Sequence, residues 1–172
     1  MTVTARPVSD GLSARVGLGF DSHRFGPGRP LVLAGVRLPY HLGLEGHSDG
    51  DALTHAVIDA LLGAAGAGNI GQWFPDDDPS YRGADSLGLL RRVREEVASR
   101  GWRPVNVDCV VVTDEPRLTP HLGDMRRRLA EALGLGEGAV EIKPKTAEGL
   151  GLAGEGRGLV ALAVVLVSRT AG

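Results

Sequence analysis

Residues 159–167 read Leu-Val-Ala-Leu-Ala-Val-Val-Leu-Val, and both faces of this stretch are apolar. A strand in a sheet with one wet face alternates apolar with polar, whereas an unbroken apolar run marks a strand covered on both sides. The rest of the chain has to supply that cover. Three segments have helical spacing. One runs through Leu53, Val57, Ile58, Leu61 and Leu62, with Ser48, Asp49 or Asp51 as its N-cap. A second starts near Asp85-Ser86, carries Leu87, Leu90, Val93 and Val97, and stops at Gly101. A third has Thr119 as cap and Pro120 at its first position, then Leu122, Met125, Leu129 and Leu133 before Gly134. Three helices cover one sheet face, so the other is expected to close against further copies of the chain. A strand that is simply central and buried within one subunit is the alternative.

The other strands follow from local pattern. Val16, Leu18 and Phe20 alternate with Gly17 and Gly19; LVLAGVRL turns near Ala34-Gly35; and Val105, Val107, Cys109 and Val111 alternate with polar residues, before a short VEIK. The expected class is α/β, with α+β character: a single domain with a mixed β-sheet and helices packed on one face. Its span is 13–169, between a flexible start (1–12) and a short tail (170–172).

A net charge of −2 gives no reason to expect nucleic acid or a membrane surface as partner. The single cysteine, Cys109, lies in VNVDCVVV and reads as a buried thiol in a reducing compartment. No signal pattern and no apolar stretch of transmembrane length appear, so the expected location is the cytoplasm.

GFDSHRF (19–25) and HSDGDALTHAVIDALL (47–62) carry the chemistry. Asp21 and His23 are two apart in a strand, which puts them on one face about 7 Å apart. His55 lies on the first helix. A carboxylate and two imidazoles suit a zinc-like divalent cation, and three protein ligands leave a fourth position open. Asp51, His55 and Asp59 follow at i, i+4 and i+8, so Asp59 or Asp51 could orient the His55 ring from behind. KTAEGLGLAGEGRG (145–158) offers the Thr146 hydroxyl, the Glu148 carboxylate and free backbone N–H groups, a candidate cradle for phosphate and a harder cation such as Mg²⁺. Its G-x-G-x-x-G match precedes a strand instead of opening a helix, which argues against a dinucleotide fold.

As a set, these motifs resemble the 2-C-methyl-D-erythritol 2,4-cyclodiphosphate synthase family. The shared residues are Gly19-Phe20-Asp21-x-His23, His47-Ser48-Asp49-Gly50-Asp51-x-x-x-His55, Asp59-Ala60-Leu61-Leu62-Gly63, Ile70-Gly71, Phe74-Pro75-Asp76, Gly83-Ala84-Asp85-Ser86 and Thr146-x-Glu148-x-Leu150-Gly151, in order over about residues 15–168. The resemblance implies a homotrimer with active sites between neighbouring subunits, and Zn²⁺ or another divalent cation on Asp21, His23 and His55. It implies that the 2-phosphate of 4-diphosphocytidyl-2-C-methyl-D-erythritol 2-phosphate attacks its own β-phosphorus and expels CMP. Glu148 matches the residue that places Mg²⁺ or Mn²⁺ on the diphosphate, and His47 and Thr146 match positions credited with transition-state stabilisation. Substrate contacts are implied for Asp21, His23, His47 and Ser48. They extend through Asn69, Ile70 and Gly71 to Phe74, Pro75, Asp76 and Asp78, and through Lys145, Thr146 and Glu148 to Leu152 and Glu155. Thr113, Pro116, Arg117, Leu118 and Thr119 match the cytidine pocket.

The chain departs from the family at Asn69 (usually Asp), Lys145 (usually Thr) and Leu152 (often Phe). It also reads Gly154-Glu155-Gly156-Arg157-Gly158 where relatives read G-R-G-E-G. Those charges line the trimer axis in relatives, where an isoprenoid diphosphate can bind. The exchange puts that partner in doubt here, along with any contact from Glu155. Two other functions fit the residues alone. One is a zinc hydrolase whose open metal position activates water; the other is a metal-stabilised scaffold, for which His47 is the nearby candidate fourth ligand.

Overall fold

The structure, a computed structural model, describes residues 13–170; the expected flexible start lies outside them, as do the last two residues. Seven strands form: β1 (Ala14–Gly26), β2 (Leu31–Leu33), β3 (Val36–Leu38), β4 (Gly43–Leu44), β5 (Trp102–Val112), β6 (Val140–Lys145) and β7 (Gly158–Arg169). Four helices accompany them: α1 (Ala52–Ala65), α2 (Ile70–Trp73), α3 (Ser86–Ser99) and α4 (Leu122–Leu133). The main sheet has the order β4-β1-β7-β5-β6, and β2 and β3 make a separate hairpin. Only β5 and β6 run parallel, joined through α4; the sheet is mixed, as expected.

The run at 159–167 is the central strand. Leu159, Ala161, Ala163, Val165 and Val167 face the helices and are fully buried. The alternate residues face the other way, where Val160, Leu162 and Leu166 are half-buried and Val164 is exposed. Beside them on β1, Val16, Leu18 and Phe20 are 65%, 68% and 52% exposed. The helices therefore pack on one face, and the strand is central without being covered on both sides by its own chain.

Where α1 crosses β1 the two backbones touch. A Cβ added to Gly17 would lie 1.9 Å from the Ala60 carbonyl oxygen, and one added to Gly19 would lie 1.9 Å from that of Ala56. Glycine on the strand and alanine on the helix allow this approach. Helix α1 is apolar nearly all round because it lies between the sheet and α3. Asp51 is its N-cap, and Gly66 ends it in the left-handed region at φ 68°.

Three details differ from the sequence reading. β5 begins at Trp102, and an irregularity between Pro104 and Asn106 turns Val105 outward, off the face that Val107, Cys109 and Val111 share. Thr119 opens a short 3₁₀ turn, Thr119–His121, ahead of α4 and does not cap the helix with its side chain. β4 and α2 are too short, at two and four residues, to show a period in the sequence.

Candidate active site

Asp21 and His23 share the β1 face that carries Gly17 and Gly19. The strand thus changes from glycines to ligands where α1 begins, and His55 stands in that first turn. The Asp21 Oδ2 atom lies 2.9 Å from His23 Nε2 and 3.0 Å from His55 Nδ1. One ligand atom from each residue falls within 4.8 Å of the others. Among the described residues of the chain, His47 and the remaining histidines, cysteine and carboxylates do not join this cluster, which leaves three protein ligand atoms.

Each residue is also held from behind. His23 Nδ1 meets the Glu45 carbonyl, Asp21 Oδ1 accepts from the Ser22 N–H at 2.8 Å, and His55 Nε2 lies 3.0 Å from Ser48 Oγ and 2.9 Å from Ser86 Oγ. Burial alone would raise the Asp21 pKa, but the two imidazoles outweigh it and hold the carboxyl well below the usual range. Burial likewise opposes protonation of His23, yet Asp21 and the Glu45 carbonyl raise its proton affinity above the ordinary histidine value. An oxygen and two ring nitrogens converge here, and their remaining polar atoms are already engaged. That donor set fits a zinc-like divalent cation.

The cluster opens into a cavity of about 210 Å³. Of the residues for which contacts were implied, His47, Ser48, Ile70, Gly71, Phe74 and Asp76 line it and Asn69, Pro75 and Asp78 do not; Tyr81 and Leu89 complete the wall. Arg29 fixes the wall around His47 by donating to the carbonyls of Gly46, at 2.7 Å, and Ser48. The expected place of Asp59 behind His55 is corrected: its Oδ1 accepts from the Ile70 N–H at 2.7 Å and so anchors the wall at α2. Asn69 caps α2, its Oδ1 accepting from the Gln72 N–H at 3.1 Å. Asp78 caps the next turn through the Ser80 N–H at 2.9 Å, which lowers its carboxyl pKa. Asp51 is fully buried and accepts from Thr54 N, Thr54 Oγ1 and Gly35 N. Burial and neighbouring Asp49 nonetheless raise its pKa.

A second group lies on two other loops. Asp114 fastens them, one oxygen accepting from Ala147 N at 2.8 Å and the other from Glu155 N at 3.0 Å. Thr113 N donates to the Lys145 carbonyl at 3.0 Å, and the Thr146 hydroxyl donates to Glu148. The segments around Thr113–Thr119 and Lys145–Glu155 therefore stand side by side, but they do not line the cavity at the metal cluster. Arg117, Thr119, Lys145, Thr146 and Glu148 are exposed. Leu118 is only 2% exposed and belongs to the core, so its side chain is not available to a ligand. Leu152 lines a larger cavity of about 540 Å³ with Ser22, Arg24, Phe25 and Arg157, behind His23. Glu155 and Arg157 pair with each other at 3.5 Å.

The chain matches the YgbB family over residues 14–168. The chain belongs to the YgbB family. Among its relatives, the 2-C-methyl-D-erythritol 2,4-cyclodiphosphate synthase of Halorhodospira halophila is 53% identical over 159 residues, 92% of this chain and 98% of that protein. The solved 2C-methyl-D-erythritol-2,4-cyclodiphosphate synthase in its CDP-bound form superposes with a TM-score of 0.81 at 42% identity, over 89% of this chain and 99% of that one. The bifunctional IspDF of Campylobacter jejuni superposes with a TM-score of 0.89 at 38% identity, over 93% of this chain but 43% of that longer one.

Within this YgbB chain, Tyr81 and Leu89 in the cavity wall and several residues that brace the site carry no motif that marks their role. Arg29 and Glu45 act through backbone carbonyls, and Asp114 acts through backbone N–H groups, so no side-chain pattern announces them. Ser86 has a signal as a helix start and as part of Gly83-Ala84-Asp85-Ser86, but neither pattern points its hydroxyl at His55.

Proposed function

We propose that this chain converts 4-diphosphocytidyl-2-C-methyl-D-erythritol 2-phosphate into 2-C-methyl-D-erythritol 2,4-cyclodiphosphate and CMP, a step in non-mevalonate isoprenoid precursor synthesis. The observation that carries the reading is the Asp21–His23–His55 cluster, set in a cavity walled by His47, Ser48, Ile70, Gly71, Phe74 and Asp76. The relatives and solved neighbours named above support the same reaction.

An oxygen of the 2-phosphate forms a bond to the β-phosphorus, and the bond from that phosphorus to the CMP oxygen breaks, the electron pair leaving with CMP. No water enters: the step is an intramolecular substitution at phosphorus, and because one substrate yields two products without water the enzyme falls in the phosphorus–oxygen lyase class. The substrate carries its own nucleophile, so the protein contributes position and charge stabilisation. A zinc ion bound by Asp21, His23 and His55 would supply positive charge to a phosphate oxygen. His47, between two carbonyls that Arg29 clamps, would donate to developing charge, and so would Thr146 of the second group of loops once a neighbouring chain brings that group to the cavity. Glu148 is the candidate holder of Mg²⁺ or Mn²⁺ on the diphosphate. The walls at Asn69–Gly71 and Phe74–Asp78 would hold the erythritol and ribose; Thr113 and the loop to Thr119 would hold the cytosine.

These two sets stand apart in one chain, and the sheet presents an apolar face to solvent. Both observations support a homotrimer in which a neighbour's loops complete each site. The reading also places the enzyme in the cytoplasm: Cys109 is a buried free thiol, and no helix among the described residues is long and apolar enough to cross a membrane.

The test is the purified chain with the cytidyl substrate, Zn²⁺ and Mg²⁺, following CMP by chromatography and the cyclic product by ³¹P NMR. Absence of CMP at every metal combination refutes the reading. CMP without the cyclic diphosphate would favour a hydrolase.

A further inference from the structure

Asp114 lies two residues past β5 and does not line the cavity at the metal cluster. Its carboxylate closes a loop instead. One oxygen accepts from the Ala147 N–H at 2.8 Å and the other from the Glu155 N–H at 3.0 Å, so residues 147–155 begin and end on one side chain. Two residues of that loop have left-handed backbone, Glu148 at φ 52° and Glu155 at φ 57°. Such a conformation is unfavourable for a residue with a Cβ and persists only where its surroundings impose it. Both strained residues sit at the pinned groups: Glu148 follows Ala147, and Glu155 carries the second N–H itself.

The base of Asp114 is anchored as well. Thr113 before it is buried; its N–H donates to the Lys145 carbonyl at 3.0 Å, and its hydroxyl donates to the Glu115 carbonyl and lies 3.4 Å from that of Gly158. On the loop, the Glu148 carboxylate accepts from the Thr146 hydroxyl. A continuous set of contacts therefore runs from the start of the Thr113–Thr119 segment, through the Asp114 carboxylate and the Ala147 N–H, to Glu148.

We propose that Asp114 is a positioning residue: it sets the Glu148 carboxylate at a fixed distance from the Thr113–Thr119 segment, so that a cytidine diphosphate and its divalent cation are gripped together. The proposal rests on the functional reading above, in which that segment takes cytosine and Glu148 takes the cation. The spacing matters for a nucleoside diphosphate, because base and cation then stand at two ends of one ligand. A nucleoside without phosphate does not feel it.

The experiment is calorimetric titration of the zinc-loaded full chain with CDP and with cytidine, each with and without Mg²⁺. The wild type should bind CDP more tightly when Mg²⁺ is present, and cytidine equally well either way. Asp114→Asn keeps the shape of the side chain but has one accepting oxygen, so one of the two N–H groups meets an amide NH₂. This variant should lose most of the Mg²⁺ gain for CDP, roughly tenfold, while cytidine affinity changes less. Added to Glu148→Gln, it should remove no further Mg²⁺ gain. An Asp114→Asn variant that keeps the full gain overturns the proposal, and so does one whose affinities for CDP and cytidine fall by the same factor, which is what a purely structural role predicts. A wild type that binds no CDP refutes the functional reading and the proposal with it. If Asp114→Asn fails to fold, amide hydrogen exchange on the wild type decides: Ala147 and Glu155 should exchange more slowly than Gly149 and Gly151 between them, and equal rates overturn the proposal.

Discussion

Gly19→Ala adds one methyl group at the point where β1 and α1 touch. That carbon would sit 1.9 Å from the Ala56 carbonyl oxygen and 2.7 Å from the Ala60 nitrogen. A carbon–oxygen contact needs about 3.3 Å, so roughly 1.4 Å of room is missing. Both obstructing atoms are backbone, and no rotamer change relieves the clash. Helix α1 must move off the strand, carrying His55 away from Asp21. Overpacking of this kind costs about 1–3 kcal/mol. The metal site should suffer more than the fold, because ligand distances tolerate only about 0.2 Å. We expect the variant to melt several degrees lower and to bind zinc at least tenfold more weakly, read by thermal melting with and without Zn²⁺ and by chelator competition. Gly63→Ala is the control on the same helix: its added carbon meets nothing within 4 Å, and alanine favours a helix by about 1 kcal/mol over glycine. Wild-type melting and zinc affinity in Gly19→Ala would refute the claim that backbone contact sets the ligand spacing.

Three further outcomes are expected. His23 has a proton affinity raised above its ordinary 6.5 in the metal-free chain, so its contribution to stability is fully present below pH 6.5 and is lost as pH rises through the folded value. The metal-free melting temperature should therefore fall on going alkaline from pH 6.5, while zinc stabilisation grows as the competing proton leaves; a metal-free curve that rises over this range would contradict the Asp21–His23 pairing. Burial pushes the Cys109 thiol up to about 12, so a thiol reagent at pH 8 should label it only in denaturant, and prompt labelling of the native protein would show that β5 is not packed as described. Phe20→Asp places a charge on the uncovered sheet face without touching the core of the single chain. Light scattering should find the mass near the monomer's 18.0 kDa and CMP release lost, and a trimer that persists would show that this face is not the contact.

Much of the architecture was legible because it follows from period and punctuation. The apolar run at 159–167 marked a strand with two apolar faces, and the sheet order adds that it is the central one. The Ala34-Gly35 turn joined β2 to β3, with positive φ at both residues, and the Asp85-Ser86 start of α3 stood at its expected place. The metal cluster was legible as well, since strand spacing put Asp21 and His23 together and a helix start brought His55. Contacts that run through the backbone were not. Asp59 sits one helical turn from His55, which suggested a partner behind the ring, yet its carboxylate turns to a peptide N–H at the start of α2. Val105 has the right period for the buried face, but a bulge beside Pro104 shifts the register by one residue. Leu118 sits among the pocket positions in sequence while its side chain fills the core.

The apolar sheet face has a consequence for handling the protein. In the proposed trimer, three chains leave the folded assembly together, so the unfolding equilibrium depends on the square of chain concentration. A tenfold dilution should then cost about 2.8 kcal/mol per trimer, twice the factor-of-ten energy. Dilution becomes a form of denaturation. Activity measured at nanomolar protein would report assembly as much as chemistry, and a cell making too little of the chain would lose the enzyme faster than it loses the polypeptide.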